Sequence, residues 1–271
     1  MVSWLPLSHD MGLFSWLLCW ARRVPHLMGE PQRFVSAPWS WLGDCAAYKA
    51  TITPVPPFAL PMAIRADRVR PLRKSLSIRS CIVGGDRLDW ASVAAAGELL
   101  RAKGAAAHAV TPAYGLAEAT LAVTMTPVAD SPRCLSVDRE LLLTGELRSV
   151  GAGDSRACQI VSAGRPLKGT TVRIEPRAPH ETSGEIHVRS GSLASGYYRS
   201  PGETSERFHD GECRTADLGA LVDDDLYVVG RLDDLLIVAG RNVHARDLEA
   251  ALEDAGSLRP RSCAGGRHLE R

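Results

Sequence analysis

The stretch Arg214–Glu249, RTADLGALVDDDLYVVGRLDDLLIVAGRNVHARDLE, decides how the chain is read. Three short apolar runs, Leu218–Val222, Leu226–Val229 and Leu235–Val238, alternate with turns bounded by Asp or Gly. Their length and boundaries predict strands. Acidic residues crowd the connections, and Asp223, Asp224 and Asp225 read as solvated turn positions. Asp217 differs, because it follows Arg214-Thr215-Ala216 at the mouth of a strand. A carboxylate placed there can accept two hydrogen bonds from a vicinal diol such as a ribose.

The 271 residues suffice for one large domain or two modest ones with a sizeable core. An apolar content of 45% with 23% charged residues is ordinary for a soluble globular protein, and a net charge of +1 gives no pull toward nucleic acid or anionic membrane. The seven cysteines are odd in number and include no CxxC pair, which argues against a disulfide framework or a zinc site and for a reducing compartment. Met11–Ala21 (MGLFSWLLCWA) is apolar but too short to span a bilayer. Its arginines, Arg22 and Arg23, follow the run, whereas a signal peptide places basic residues before it. A buried helix is expected there, no membrane span is expected, and a cytoplasmic protein is inferred.

Upstream of the opening stretch, Gly12–Arg22 and Trp39–Lys49 predict helices, and Thr51–Pro54 a short extended segment. Pro54–Pro61 holds four prolines in eight residues and predicts an irregular packed loop. Ser77–Val83 predicts a strand running into Gly84-Gly85-Asp86, followed by an amphipathic helix over Trp90–Lys103, a strand at His108–Thr111 and a turn at Tyr114–Glu118. That strand–helix–strand order implies a parallel α/β layer. Beyond Val123 the runs are short and β-like, at Cys134–Val137, Cys158–Val161, Thr171–Ile174 and Glu185–Val188, which implies an appended β subdomain. The expected organisation is an α/β region over 1–125, a β-rich region over 126–230 and the start of a small C-terminal domain over 231–271.

There is no P-loop, no GxSxG elbow and no HExxH, and Ser190–Gly196 is rich in small residues but has no lysine. What remains is a set of separated patches that suit one ligand. Gly84-Gly85-Asp86 ends a strand, where open α/β sheets bind ligands. Tyr114-Gly115-Leu116-Ala117-Glu118 offers a ring that can stack on a base and a carboxylate that can hold Mg²⁺. Asp217 suits a ribose, and Arg231 suits ribose or phosphate oxygens.

In this order the residues resemble the adenylate-forming ligase superfamily of acyl-CoA synthetases, luciferase and peptide-synthetase adenylation domains. The phrases WLPLSHDMGL (4–13), AYGLAEATLAV (113–123), VDRELLLTGE (137–146), SAGRPLKGTTVRI (162–174), GEIHVRSGSLASGYY (184–198) and GRLDDLLIVAGRNVHARDLE (230–249) carry the resemblance. It is nearest to the fatty acyl-AMP ligase branch. The resemblance implies that Gly84, Gly85 and Asp86 flank adenine, that Tyr114 packs on it beside Gly115, and that Glu118 is the Mg²⁺-associated catalytic glutamate. It implies that Asp217 binds the ribose, that Arg231 lies near the ribose and α-phosphate, and that Asp233 is the hinge of the small domain. His9, taken with Glu118 as catalytic, and Asp10 would sit beside the acyl pocket, with Met11, Gly12 and Leu13 lining it. It implies ATP and Mg²⁺, a fatty acid substrate, and an acyl carrier protein or polyketide synthase as acceptor.

The family's phosphate loop belongs upstream of WLPLSHDMG, and its catalytic lysine belongs near the end of the small domain. The last lysine here is Lys168, so the expectation is a truncated ligase with impaired activity. Asp234 stands where a basic hinge residue is common, and His180–Ser183 is a shorter turn than usual. Two functional readings follow: an acyl-AMP ligase typical of the family, and a non-catalytic remnant that binds nucleotide or an acyl chain.

Overall fold

The computed structural model describes residues 1–232 and, beyond them, the backbone of two strands at 235–238 and 241–244. The first part runs β1 (Val2–Ser3), α1 (Asp10–Ala21), β2 (Leu27–Met28), α2 (Pro31–Ser36), α3 (Trp39–Ala47), β3 (Ile52–Val55), α4 (Ala59–Val69), β4 (Ser80–Val83), α5 (Trp90–Ala102), β5 (Val110–Gly115) and β6 (Ala122–Met125). The second adds β7 (Cys134–Asp138), α6 (Arg139–Leu143), β8 (Ala157–Val161), β9 (Arg165–Pro166), β10 (Thr170–Glu175), β11 (Gly184–Ser190), α7 (Pro201–Arg207), β12 (Phe208–His209), β13 (Glu212–Val222) and β14 (Asp225–Arg231). β15 (Leu235–Val238) and β16 (Arg241–His244) form an antiparallel pair.

Strands β3, β4 and β5 pair in parallel, and β6 and then β9 extend the sheet antiparallel, in the order β3-β4-β5-β6-β9. This is the α/β layer that the strand–helix–strand order implies. Helices α3, α4 and α5 bury Trp41, Leu60 and Leu100 against Val55, Cys81 and Val83 of the sheet. Burial of such side chains is worth roughly 1.5–3 kcal/mol each. The Trp41 indole N–H donates to Thr53 Oγ1 at 2.9 Å, so its polar atom is satisfied inside the core. Burial pushes the Cys45 thiol up to about 12, so it is an inert core group. Among the described residues no helix is long and apolar enough to cross a membrane.

Several expectations are corrected. The proline-rich stretch is regular at both ends. Pro54 lies in β3, which among the described residues is an outer strand paired with β4, where a missing N–H need not break a ladder bond. The carbonyls of Pro56 and Pro57 then accept the N–H groups of Ala59 and Leu60, and Pro61 falls in the first turn of α4, whose N–H groups lack helical partners anyway. Helix α1 is buried on one stripe only, at Met11, Gly12, Ser15 and Cys19, whereas Leu18 and Trp20 are 56% and 75% exposed. The buried residues mostly recur every four positions, so apolar residues between them point away from the stripe. Tyr114 and Gly115 end a strand rather than open a turn.

The third sheet has the order β10-β11-β13-β12, with β14 on β13. All three strands read from the opening stretch are present, and Asp223-Asp224 form the two-residue turn between Val222 and Asp225. Both turn residues have left-handed backbones, φ 51° and 66°, as the twist of a two-residue hairpin demands. Asp225 is not a solvated turn residue. It is buried, its Oδ2 accepts from Ser162 Oγ at 3.0 Å, and its Oδ1 accepts from Arg165 Nε at 3.3 Å. Ser162 Oγ in turn accepts the Gly164 N–H, so the carboxylate ties the hairpin to the segment between β8 and β9. Asp225→Ala is expected to cost about 2–3 kcal/mol, because it leaves the buried Ser162 hydroxyl without its acceptor and Arg133 and Arg165 without their carboxylate. A urea midpoint unchanged from the wild type would show that the tie contributes nothing.

Candidate functional site

The carboxyl ends of β4 and β5 face strands β13 and β14 across a cavity of about 710 Å³. Its polar wall includes His9, Asp10, Asp86, Arg87, Tyr114, Asp217 and Arg231, with Gly84, Gly85 and Gly115 beside them. Met11, Phe14, Leu18, Ile82, Met125 and Ile160 supply an apolar wall. A concave site with a few convergent polar groups on an apolar lining is what a ligand part polar and part hydrocarbon needs.

The polar cluster is built by pairing. Asp217 and Arg231 are direct cross-strand partners in β13 and β14, so their side chains share a face, with Arg231 Nε 3.5 Å from Asp217 Oδ1. The Tyr114 hydroxyl donates to Asp217 Oδ2 at 2.6 Å, although the two residues are 103 positions apart. Burial, then the neighbouring Asp217 carboxylate, holds the Tyr114 phenol well above its ordinary value, so it remains a donor. Burial also pushes the Asp217 carboxyl up, against the opposing pull of the Tyr114 hydroxyl and Arg231. A carboxylate offers about four acceptor positions, so Asp217 keeps capacity for an incoming diol.

Gly115 lets β5 close on the following turn. A Cβ there would lie 1.8 Å from the Leu121 carbonyl oxygen, which already accepts the Leu116 N–H. Glu118 sits in the short helical turn Ala117–Ala119 that follows and is not part of the cavity wall. Its Oε1 accepts from the Tyr197 hydroxyl at 2.6 Å, and its carbonyl accepts the Ala194 N–H. The small-residue segment Ser190–Gly196 therefore packs on the Glu118 turn, with Ser192 Oγ donating to the Ala119 carbonyl at 3.0 Å. Burial, then Glu118, raises the Tyr197 phenol above its ordinary value. Tyr197→Phe is expected to lower stability by about 1–2 kcal/mol, the worth of one bond to a charged acceptor. A thermal midpoint identical to the wild type would mean that this bond is not holding the turn.

His9 caps α1, and its Nδ1 lies 2.6 Å from Asp10 Oδ1. Both line the cavity, as does Met11. Gly12 and Leu13 do not. Gly12 instead packs on the preceding chain, where a Cβ would lie 2.1 Å from the Pro6 carbonyl oxygen. The expected hinge residue Asp233 lies outside the described residues. Tyr197, Glu185 and Thr215 were not singled out as site residues by sequence reasoning. The first two lie inside the phrase GEIHVRSGSLASGYY, which was the one available signal.

The sequence model of the AMP-binding enzyme family matches residues 1–198, and the chain belongs to that family. Its relatives include the long-chain-fatty-acid–AMP ligases FadD26 of Mycobacterium tuberculosis and FadD32 of Mycolicibacterium smegmatis. The first is 32% identical over 93% of this chain and 47% of that protein. The second is 32% identical over 94% of this chain and 45% of that protein. A solved fatty acyl-adenylate ligase, from work on the enzymes of E. coli and L. pneumophila, superposes with a TM-score of 0.85 at 31% identity, over 93% of this chain and 47% of that one. A second, from L. pneumophila in complex with acyl adenylate and pyrophosphate, gives 0.77 at 31% identity over 93% and 46%. The chain thus spans about half the length of the curated relatives it matches.

Proposed function

We propose that this chain carries the nucleotide and acyl side of a fatty acid-activating site, in which a fatty acid carboxylate attacks the α-phosphate of ATP. The bond that forms joins a carboxylate oxygen to the α-phosphorus. The bond that breaks releases pyrophosphate, and the product is an acyl-adenylate. The observation that carries the reading is the joining of Tyr114, Asp217 and Arg231 to an apolar wall in one cavity. Asp217 would accept the ribose hydroxyls, and Tyr114 and the glycines at 84, 85 and 115 would border the base. Arg231, half exposed at the rim, would meet phosphate or ribose oxygens as a planar charged fork. The names of the relatives, long-chain-fatty-acid–AMP ligases, support the acid and the nucleotide chosen.

Two like-charged reactants must meet, so positioning and positive charge do most of the work. Mg²⁺ fits as a phosphate-bound ion rather than a protein-caged one. Among the described residues no group of three or more metal-ligating side chains occurs, and a single carboxylate completed by substrate phosphates is the usual Mg²⁺ arrangement. Glu118 has one carboxylate oxygen engaged by Tyr197 and would offer the other. When bound, the ion would neutralise charge on the phosphates. His9 and Asp10 would flank the acid where the polar and apolar walls meet, and the acyl group would then pass to the thiol of a carrier protein or polyketide synthase, the new C–S bond replacing the C–O bond to phosphate as AMP and the thiol proton leave.

The test is ATP–pyrophosphate exchange with lauric and palmitic acids, alongside calorimetric binding of AMP. Exchange above that of Glu118→Ala supports ligation. AMP binding without exchange supports the second reading, a module that binds without ligating, which the position of Glu118 outside the cavity wall favours. No binding of either ligand sinks both.

A further inference from the structure

Asp217 reaches the cavity because β13 is irregular where it passes β11. Glu185 pairs with Leu218 and His187 pairs with Arg214, so Ile186 alone on β11 faces Thr215, Ala216 and Asp217 on β13. Two extra residues must be absorbed there. Ala216 does so by adopting φ 59°, a left-handed backbone that a residue with a Cβ seldom holds unless its surroundings enforce it. The surroundings are specific. Glu185 is only 6% exposed, and its Oε1 accepts the Ala216 N–H at 3.1 Å. Its Oε2 accepts from Arg214 Nη2 at 2.9 Å. Thr215 Oγ1 donates to the Ile186 carbonyl at 2.8 Å and accepts the Asp217 N–H at 3.0 Å. The bulge therefore has its amides at Ala216 and Asp217 satisfied by side chains, where regular pairing with β11 would have used backbone carbonyls.

We propose that Glu185 is a positioning residue. Its carboxylate holds the Ala216 bulge in place, and the bulge aims the Asp217 carboxylate at the Tyr114 hydroxyl and the ribose of a bound nucleotide. Glu185 is not part of the cavity wall. It acts through Arg214 and Ala216, which precede Asp217 on the same strand. This inference rests on the reading of Asp217 as the diol acceptor, and it adds a residue on a neighbouring strand to that site.

The test uses the full chain and Glu185→Gln, which keeps the shape but replaces the carboxylate. AMP and 2′,3′-dideoxy-AMP are titrated calorimetrically into wild type and variant, and amide exchange is followed at Cys213, Ala216 and Leu218 by NMR. The wild type is expected to prefer AMP by at least about 10-fold, and the variant to retain less than about a third of that preference, with dideoxy-AMP affinity within about 2-fold. Ala216 exchange is expected to accelerate at least about 10-fold while Cys213 and Leu218 stay protected. A purely structural role would weaken both nucleotides together. Thr215→Val, which removes the acceptor of the Asp217 N–H, should give the same loss of diol preference and serves if Glu185→Gln does not fold. Unchanged diol preference with an unchanged Ala216 amide overturns the proposal. A wild type that binds both nucleotides alike overturns the ribose reading first, and with it the role assigned to Glu185. That outcome is visible before any variant is made.

Discussion

Asp217→Asn is expected to weaken AMP binding by roughly 30- to 100-fold, about 2–3 kcal/mol, the worth of charge-assisted bonds to a diol in a partly desolvated site. The amide keeps the size of the side chain and can still accept from the Tyr114 hydroxyl, now 2.6 Å from Asp217 Oδ2, so the local packing should survive. The same substitution should raise the thermal midpoint near neutral pH. Burial pushes the Asp217 carboxyl above its ordinary value of 3.8, more than Tyr114 and Arg231 pull it down. The folded chain therefore holds that proton more tightly than the unfolded chain does, and the ionised group subtracts from stability once pH exceeds its folded value. The gain from asparagine should fade as pH falls toward and below 3.8, where the wild-type carboxyl is protonated in both states. Loss of affinity with a gain in neutral-pH stability is the signature of a charge kept for binding. AMP affinity within about 3-fold of wild type would remove Asp217 from the site.

Gly115→Ala should be strongly damaging to the sheet that holds β5. The added Cβ would lie 1.8 Å from the Leu121 oxygen, 2.7 Å from the Leu121 carbon and 3.0 Å from Ala122 Cα. All three are backbone atoms, so no side-chain rotation relieves the clash. The Leu121 oxygen is also fixed by the Leu116 N–H, and β5 pairs with β6 across this point, with a register shift between Tyr114 and Gly115. Relief requires parting β5 from β6, at a cost of roughly 3 kcal/mol or more. Tyr114 precedes the clash directly, so its hydroxyl should also leave Asp217. The expected result is a large fall in urea midpoint together with loss of AMP binding. A stability change under about 1 kcal/mol would show that the turn can rearrange around a methyl group.

Residue types and local pattern account for much of this architecture. The runs ending in Val83, Val188, Val222 and Val229 are strands because they are short, apolar and bounded by turn residues. Asp223-Asp224 form the hairpin turn because a short polar side chain tolerates left-handed backbone. The cavity likewise gathers glycines at a strand end, a tyrosine, an aspartate and an arginine that could each be named from chemistry alone. Elsewhere the pattern misleads. The prolines at 54 and 61 look like breakers, yet they fall in an outer strand and a helix first turn, two places where proline does little harm, while Pro56 and Pro57 lie in the turn between.

The sequence by itself therefore set which groups are present and which segments extend or coil, since backbone preference and side-chain periodicity are local properties. Only the tertiary structure decided which groups meet. Asp225 follows two turn aspartates yet is buried, because Ser162 and Arg165 approach it from 63 and 60 residues upstream in the chain. Tyr114 donates to Asp217 and Tyr197 donates to Glu118 across separations that no short-range pattern records. The bulge that aims Asp217 exists because two strands of unequal local length must pair, and a buried glutamate on the neighbouring strand satisfies the amide left over. Burial, register and the partners of a buried carboxylate are set by chain segments distant in sequence.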